Sequence, residues 1–96
     1  MLTAQNRAKL RSIATNLKDL VFIGKEGLTD NVCVQIDDNL FAHELIKVKV
    51  QKNTNEDIKD LAKAIEEKCE CEVVAIIGSK IILYKFTNKP KFNHLI

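Results

Sequence analysis

The sequence predicts one α/β domain in the order α-β-α-β-α-β-β, a mixed four-stranded sheet partly covered by helices, and three observations carry that prediction. Three stretches repeat apolar residues at helical spacing, each behind a residue able to cap a helix. Short runs rich in β-branched and aliphatic residues stand between and after them. The chain of 96 residues, 46% apolar and 29% charged, suits one core and is too short for two.

Thr3 caps a first helix expected to run to about Lys18, because Leu10, Ile13, Ala14 and Leu17 share one face. Arg7, Arg11 and Lys18 fall together on the helical wheel, as a basic flank beside that apolar stripe. The run Leu20-Val21-Phe22-Ile23, stopped by Gly24, suits a strand buried on both faces. After Gly24-Lys25-Glu26-Gly27, Thr29 caps a second helix in which Val32, Ile36 and Leu40 repeat every four residues. Asp30, Asp37 and Asp38 belong to its solvent side, Asp30 also suiting the positive helix N-terminus.

From Glu44 to Val50, Ile46, Val48 and Val50 alternate with Lys47 and Lys49, the pattern of a strand with one wet, basic face. A crossover through the second helix makes the first two strands parallel if they are neighbours. Residues 51–55 read as a loop, with Thr54 or Asn55 capping a third helix that aligns Ile58, Leu61, Ala62, Ile65 and Cys69. Gly78-Ser79 then joins two runs, Glu72 to Ile77 and Lys80 to Phe86, as an antiparallel hairpin. Residues 1–86 therefore read as the domain. Residues 87–96, with Pro90 and no periodicity, read as a tail docking through Phe92, Leu95 and Ile96.

Several function classes are disfavoured at once. No apolar run approaches the roughly 20 residues that span a bilayer, and the start lacks a secretory pattern, so no membrane role and a cytoplasmic location are expected. Cys33, Cys69 and Cys71 make an odd number without a CxxC pair, and Cys69-Glu70-Cys71 is too tight for a zinc hook, so no metal is expected. Cys33 and Cys69 read as core residues. His43-Glu44 could suggest acid-base work, but no nucleophile lies nearby in sequence; a small hydrolase or transferase ranks last, and no catalytic residue, cofactor or small-molecule substrate is expected.

Lys+Arg number 15 against 13 Asp+Glu, a net charge of +2, with basic ends and an acidic middle. With no Trp, four Phe and one Tyr, few rings are available for base stacking, so nucleic-acid binding leans on charge and shape. Gly24-Lys25-Glu26-Gly27 sits at a strand-to-helix junction, where glycine lets backbone N–H groups approach phosphate and Lys25 adds charge. A GxxG loop alone is a weak signal, and no GK[ST] follows to make it a nucleotide-hydrolysing phosphate loop. Convergence of Arg7, Arg11, Lys18, Lys25, Lys47 and Lys49 at one end of the domain would strengthen it.

An ordered set of three motifs goes further. Ile23-Gly24-Lys25-Glu26-Gly27-Leu28-Thr29-Asp30-Asn31-Val32 is followed by His43-Glu44-Leu45-Ile46-Lys47-Val48-Lys49 and then Ile77-Gly78-Ser79-Lys80-Ile81-Ile82-Leu83-Tyr84-Lys85. With Leu2-Thr3, Leu10-Arg11 and Leu17-Lys18 before them, they resemble a stand-alone YhbY-like chloroplast RNA splicing and ribosome maturation (CRM) domain over residues 2 to 86. The chain departs from the family at Asp19, where proline commonly follows the lysine, at Lys85, where arginine is usual, and in the charge of Glu26.

That resemblance implies a fold similar to the C-terminal domain of translation initiation factor three, and RNA binding to large-subunit ribosomal precursors. It makes Gly24, Lys25, Glu26 and Gly27 the expected RNA contact, supported by Arg7, Arg11 and Lys18, with Lys47 and Lys49 as further candidates. A rival of another class is a protein-interaction module docking a ribosomal protein or assembly factor through the acidic second helix.

Overall fold

The computed structural model describes residues 2–96. Two helices begin where the sequence places their caps. The Asn6 N–H donates to Thr3 Oγ1 at 3.0 Å, opening α1 (Ala4–Ala14), and the Val32 N–H donates to Thr29 Oγ1 at 3.2 Å, opening α2 (Asp30–His43). The third, α3 (Ile58–Cys69), is capped by Asp57, whose carboxylate accepts the Lys59 N–H at 2.7 Å. Thr54 and Asn55, the expected caps, lie before that turn; Thr54 is engaged elsewhere, beside the glycine loop.

The strands are β1 (Asp19–Ile23), β2 (Leu45–Val50), β3 (Glu72–Ile77) and β4 (Lys80–Tyr84), in the spatial order β1-β2-β4-β3. β1 and β2 pair in parallel, joined across α2, and the other neighbours are antiparallel. Helices α2 and α3 cover one face, where Ile36, Leu40, Leu61 and Ile65 pack on Ile46, Val48, Ile81 and Leu83. Each such side chain, fully buried, contributes about 1.5–3 kcal/mol. Helix α1 alone meets the other face, placing Leu10 and Ala14 on Leu45, Val74, Ile82 and Tyr84.

Three expectations change here. Helix α1 stops at Ala14 rather than near Lys18, because Thr15 and Asn16, weak helix formers, enter a turn in which the Leu17 N–H donates to the Ala14 carbonyl at 3.0 Å. Leu17 still packs against the α1-side core, so the apolar spacing outlasts the helix. β1 is not buried on both faces. It is a sheet edge that α1 leaves uncovered, and Leu20 and Phe22 are 40% and 53% exposed. Nor is the basic face of β2 simply wet, since Lys47 is buried near the end of α1 and Lys49 is half-buried.

Residues 87–96 form no helix or strand and return to the start of β2. Glu44 there has φ 68, a left-handed backbone rarely adopted by a non-glycine residue, and its side chain is fully buried. Its carboxylate accepts the N–H groups of Leu95 at 3.0 Å and Thr87 at 3.2 Å, and lies 2.6 Å from His94 Nδ1. Burial alone would raise the Glu44 pKa, yet the bonds from Leu95, His94 and Thr87 together hold it below the usual range. The tail thus docks through Thr87, His94 and Leu95. Phe92 meets His94 edge-on and Ile96 is 39% exposed, so neither anchors it as expected.

Candidate nucleic-acid interface

Where β1 ends, the chain reverses through a turn closed by the Gly27 N–H donating to the Gly24 carbonyl at 3.0 Å. The two glycines meet different constraints, and only that on Gly27 is set by the backbone. Gly27 has φ +69, the left-handed region, while a Cβ on Gly24 would stand 3.0 Å from Gln51 Oε1 in the β2–α3 loop. That loop is the buttress of the turn. Thr54 Oγ1 lies 2.9 Å from the Gly24 carbonyl and 3.0 Å from that of Ile23, so its hydroxyl proton serves both, and the Gln51 N–H donates to Ile23 at 2.8 Å.

The base of the turn is therefore pinned while its tip is free. Lys25 and Glu26 are exposed and, among the described residues, neither has a hydrogen-bond partner. Glu56 places a second carboxylate nearby, its Oε1 2.9 Å from where a Gly27 Cβ would sit. The following helix end is already served by the Thr29 cap and by Asp30, which pairs with Lys68 at 2.9 Å. Charge for an anion at this loop must come from lysines rather than from the helix dipole.

Sheet register supplies them. Phe22, Lys49, Lys80 and Ile77 are partners across β1, β2, β4 and β3, so their side chains form one row at the end of the sheet that carries the glycine loop. Lys49 Nζ donates to Ser79 Oγ at 2.8 Å, and Lys80 pairs with Asp19 at 3.3 Å. Lys47, in register with Asp19 and Ile82, lines a concavity of about 430 Å³ together with Ala14, Thr15, Ile77 and Lys80.

The basic residues of α1 do not join this cluster. Arg7 Nη1 donates to the carbonyls of Val73 at 2.7 Å and Val74 at 3.3 Å, on the strand farthest from β1. Lys18 precedes β1 and lines a groove with His43 and Leu45, at the opposite end of that strand from Gly24. Arg11 is exposed one turn before the end of α1. The fold brings together Lys47, Lys49 and, unforeseen in the sequence, Lys80 on one face of the sheet, with the glycine loop that carries Lys25 beyond the Lys49 end of it. The two-residue hairpin turn hints at Lys80 facing Ile77, but only the pairing of β2 with β4 sets it beside Lys49. Thr54 was equally hidden, being a polar residue in a polar loop.

Elsewhere, Val34 and Phe41 are exposed on α2, where Asp37 and Asp38 also face solvent. All three cysteines are buried, and burial pushes the Cys69 and Cys71 thiols up to about 12, so both stay protonated at neutral pH. The Glu44 carboxylate is engaged by the tail while His43 is exposed, so the adjacent pair does not act as one unit.

Residues 2–85 match the CRS1 / YhbY (CRM) domain. The chain is 41% identical over 91 residues to the Probable RNA-binding protein YqeI of Bacillus subtilis, covering 95% of each. It is 36% identical over 86 residues to a protein of Methanocaldococcus jannaschii with the same descriptive name, covering 88% of this chain and 63% of that one. The solution structure of a Staphylococcus aureus hypothetical protein superposes with a TM-score of 0.80 at 42% identity, covering 95% of both chains.

Proposed function

This chain belongs to the CRS1 / YhbY (CRM) domain family, and from that premise we propose that it binds structured ribosomal RNA in precursors of the large subunit and assists their assembly. The observation that carries the reading is the pinned turn with a free tip. Thr54 and Gln51 fix the carbonyls of Ile23 and Gly24, so Lys25 is presented to a phosphate without ordering the loop at the moment of binding. Gly24 and Gly27 let the turn sit close against the β2–α3 loop that holds it, Lys47 and Lys49 extend the positive surface, and Glu26 and Glu56 limit it. The relatives named as RNA-binding proteins support RNA as the partner.

Arg11 and Lys18 serve in this reading as peripheral charge, and Arg7 mainly ties α1 to β3. With few phosphate contacts, binding is salt-sensitive, and preference comes from the folded shape of the RNA.

The test is fluorescence anisotropy with large-subunit ribosomal RNA fragments and an unrelated folded RNA, at low and near-physiological salt. Lys25→Glu is the variant of choice, because Lys25 is exposed and its backbone needs no glycine. Binding that favours ribosomal RNA and falls at least severalfold in Lys25→Glu supports the reading; unchanged binding by the variant removes the loop from it.

A second reading has its own observation. Val34 and Phe41 lie two helical turns apart on α2, with Asp37 and Asp38 between them, an acidic surface with apolar anchors suited to a basic assembly protein. Capture of a ribosomal protein that is lost in Phe41→Ala, with no RNA binding at low salt, would favour it.

A further inference from the structure

The part of the sheet that α1 leaves bare adjoins the glycine loop, and it carries an aromatic ring among lysines. Phe22 is 53% exposed and lies two residues before Gly24, at the foot of the loop that presents Lys25. Lys49 is its register partner on β2, and Lys80 is the partner of Lys49 on β4. Neighbouring strands are about 4.8 Å apart, so the Lys49 and Lys80 backbones stand roughly one and two strand spacings from that of Phe22.

Charge on this patch favours an anion. Lys47, Lys49 and Lys80 face it against the carboxylate of Asp19, one oxygen of which is held by Lys80. Lys47 adds an independent observation. The residue is only 9% exposed, it lines the concavity beside the row, and among the described residues its ammonium has no hydrogen-bond or ion-pair partner. Its stem is buried while the ammonium itself still reaches solvent in the concavity, where a ligand oxygen can meet it.

Resting on the RNA-binding reading above, we propose that this patch receives an unpaired nucleotide of the bound RNA, its base stacked on Phe22 and its phosphate between Lys49 and Lys80, with Lys47 meeting the chain as it enters the concavity. A flat ring tolerates every base, so the patch selects unpaired RNA rather than a particular sequence. The scarcity of aromatics then matters little, because one correctly placed ring suffices.

The experiment uses an RNA hairpin with 2-aminopurine at an unpaired loop position, following anisotropy for affinity and 2-aminopurine fluorescence for stacking. Wild type is expected to bind and to change the fluorescence. Phe22→Ala should weaken binding about 5- to 100-fold and abolish that change, Phe22→Tyr should restore both, and Lys47→Gln should weaken binding severalfold. Thermal melting of Phe22→Ala should match wild type, since the ring is on the surface.

Wild-type affinity and fluorescence in Phe22→Ala, alongside loss of binding in Lys25→Glu, would overturn the nucleotide site and leave the loop reading standing. Failure of the wild type to bind any RNA would overturn both. A dimer in sedimentation that depends on Phe22, with RNA affinity unchanged in Phe22→Ala, would show the ring to be a contact between copies of this chain and would also overturn the site.

Discussion

The two faces of the sheet are built from the same strands and treated differently. On one, α2 and α3 cover an apolar surface that runs from Val21 and Ile23 through Ile46, Val48, Ile81 and Leu83. On the other, α1 covers the middle and stops at Ala14, leaving Phe22, Lys49, Lys80 and Ile77 at the end beside the glycine loop. Two helices satisfy a face; one helix leaves a remainder. The fully covered face buries the larger apolar cluster, and the half-covered face leaves Phe22 and Ile77 exposed.

The largest expected effect is a cavity under the two helices. Leu61→Ala, fully buried between α3 and the sheet, should cost about 3–4 kcal/mol by denaturant titration. Leu10→Ala on the other face should cost about 2–3 kcal/mol, because a single helix can settle into the gap. Equal costs would erase the distinction between the faces.

The tail latch comes next. Glu44→Gln should cost about 2 kcal/mol, since the Leu95 and Thr87 N–H groups lose their charged acceptor. The carboxylate titrates lower in the folded chain than in the unfolded one, so its contribution is full above about pH 4.3 and is lost as pH falls through the depressed value. Acid should therefore release residues 87–96, visible in amide exchange at Leu95, and the variant should lose that pH dependence.

Gly27→Ala should cost about 1–2 kcal/mol, because an L side chain at φ +69 is strained and its Cβ presses on the Glu56 carboxylate. A variant at Gly27 therefore confounds folding with binding. Lys25→Glu has the smallest effect on stability, within about 0.5 kcal/mol, and should act on RNA affinity alone. If it also lowers the melting temperature markedly, the tip of the loop is not free.

Much of the fold was legible because its signals are local. Thr3 and Thr29 cap their helices as spaced, Val32, Ile36 and Leu40 are buried as their period requires, and Gly78-Ser79 joins β3 to β4. Local signals also misled where two structures share a pattern. Leu17 extends the helical spacing of α1 from within a turn, and Leu20 and Phe22 read as core because an apolar run looks alike at the centre of a sheet and at its edge. The glycine loop was legible as a motif, whereas the grip of Thr54 on it was not, because that bond spans 30 residues.

By itself the sequence determined the order of elements, the family motifs and the presence of a glycine turn with a lysine at its tip, since caps, periods and turns act over a few residues. Only the tertiary structure decided which lysines meet. Strand order and register set Lys49 beside Phe22 and Lys80 beside Lys49, and sent Arg7 to the far strand, because a sheet joins residues by pairing rather than by proximity along the chain.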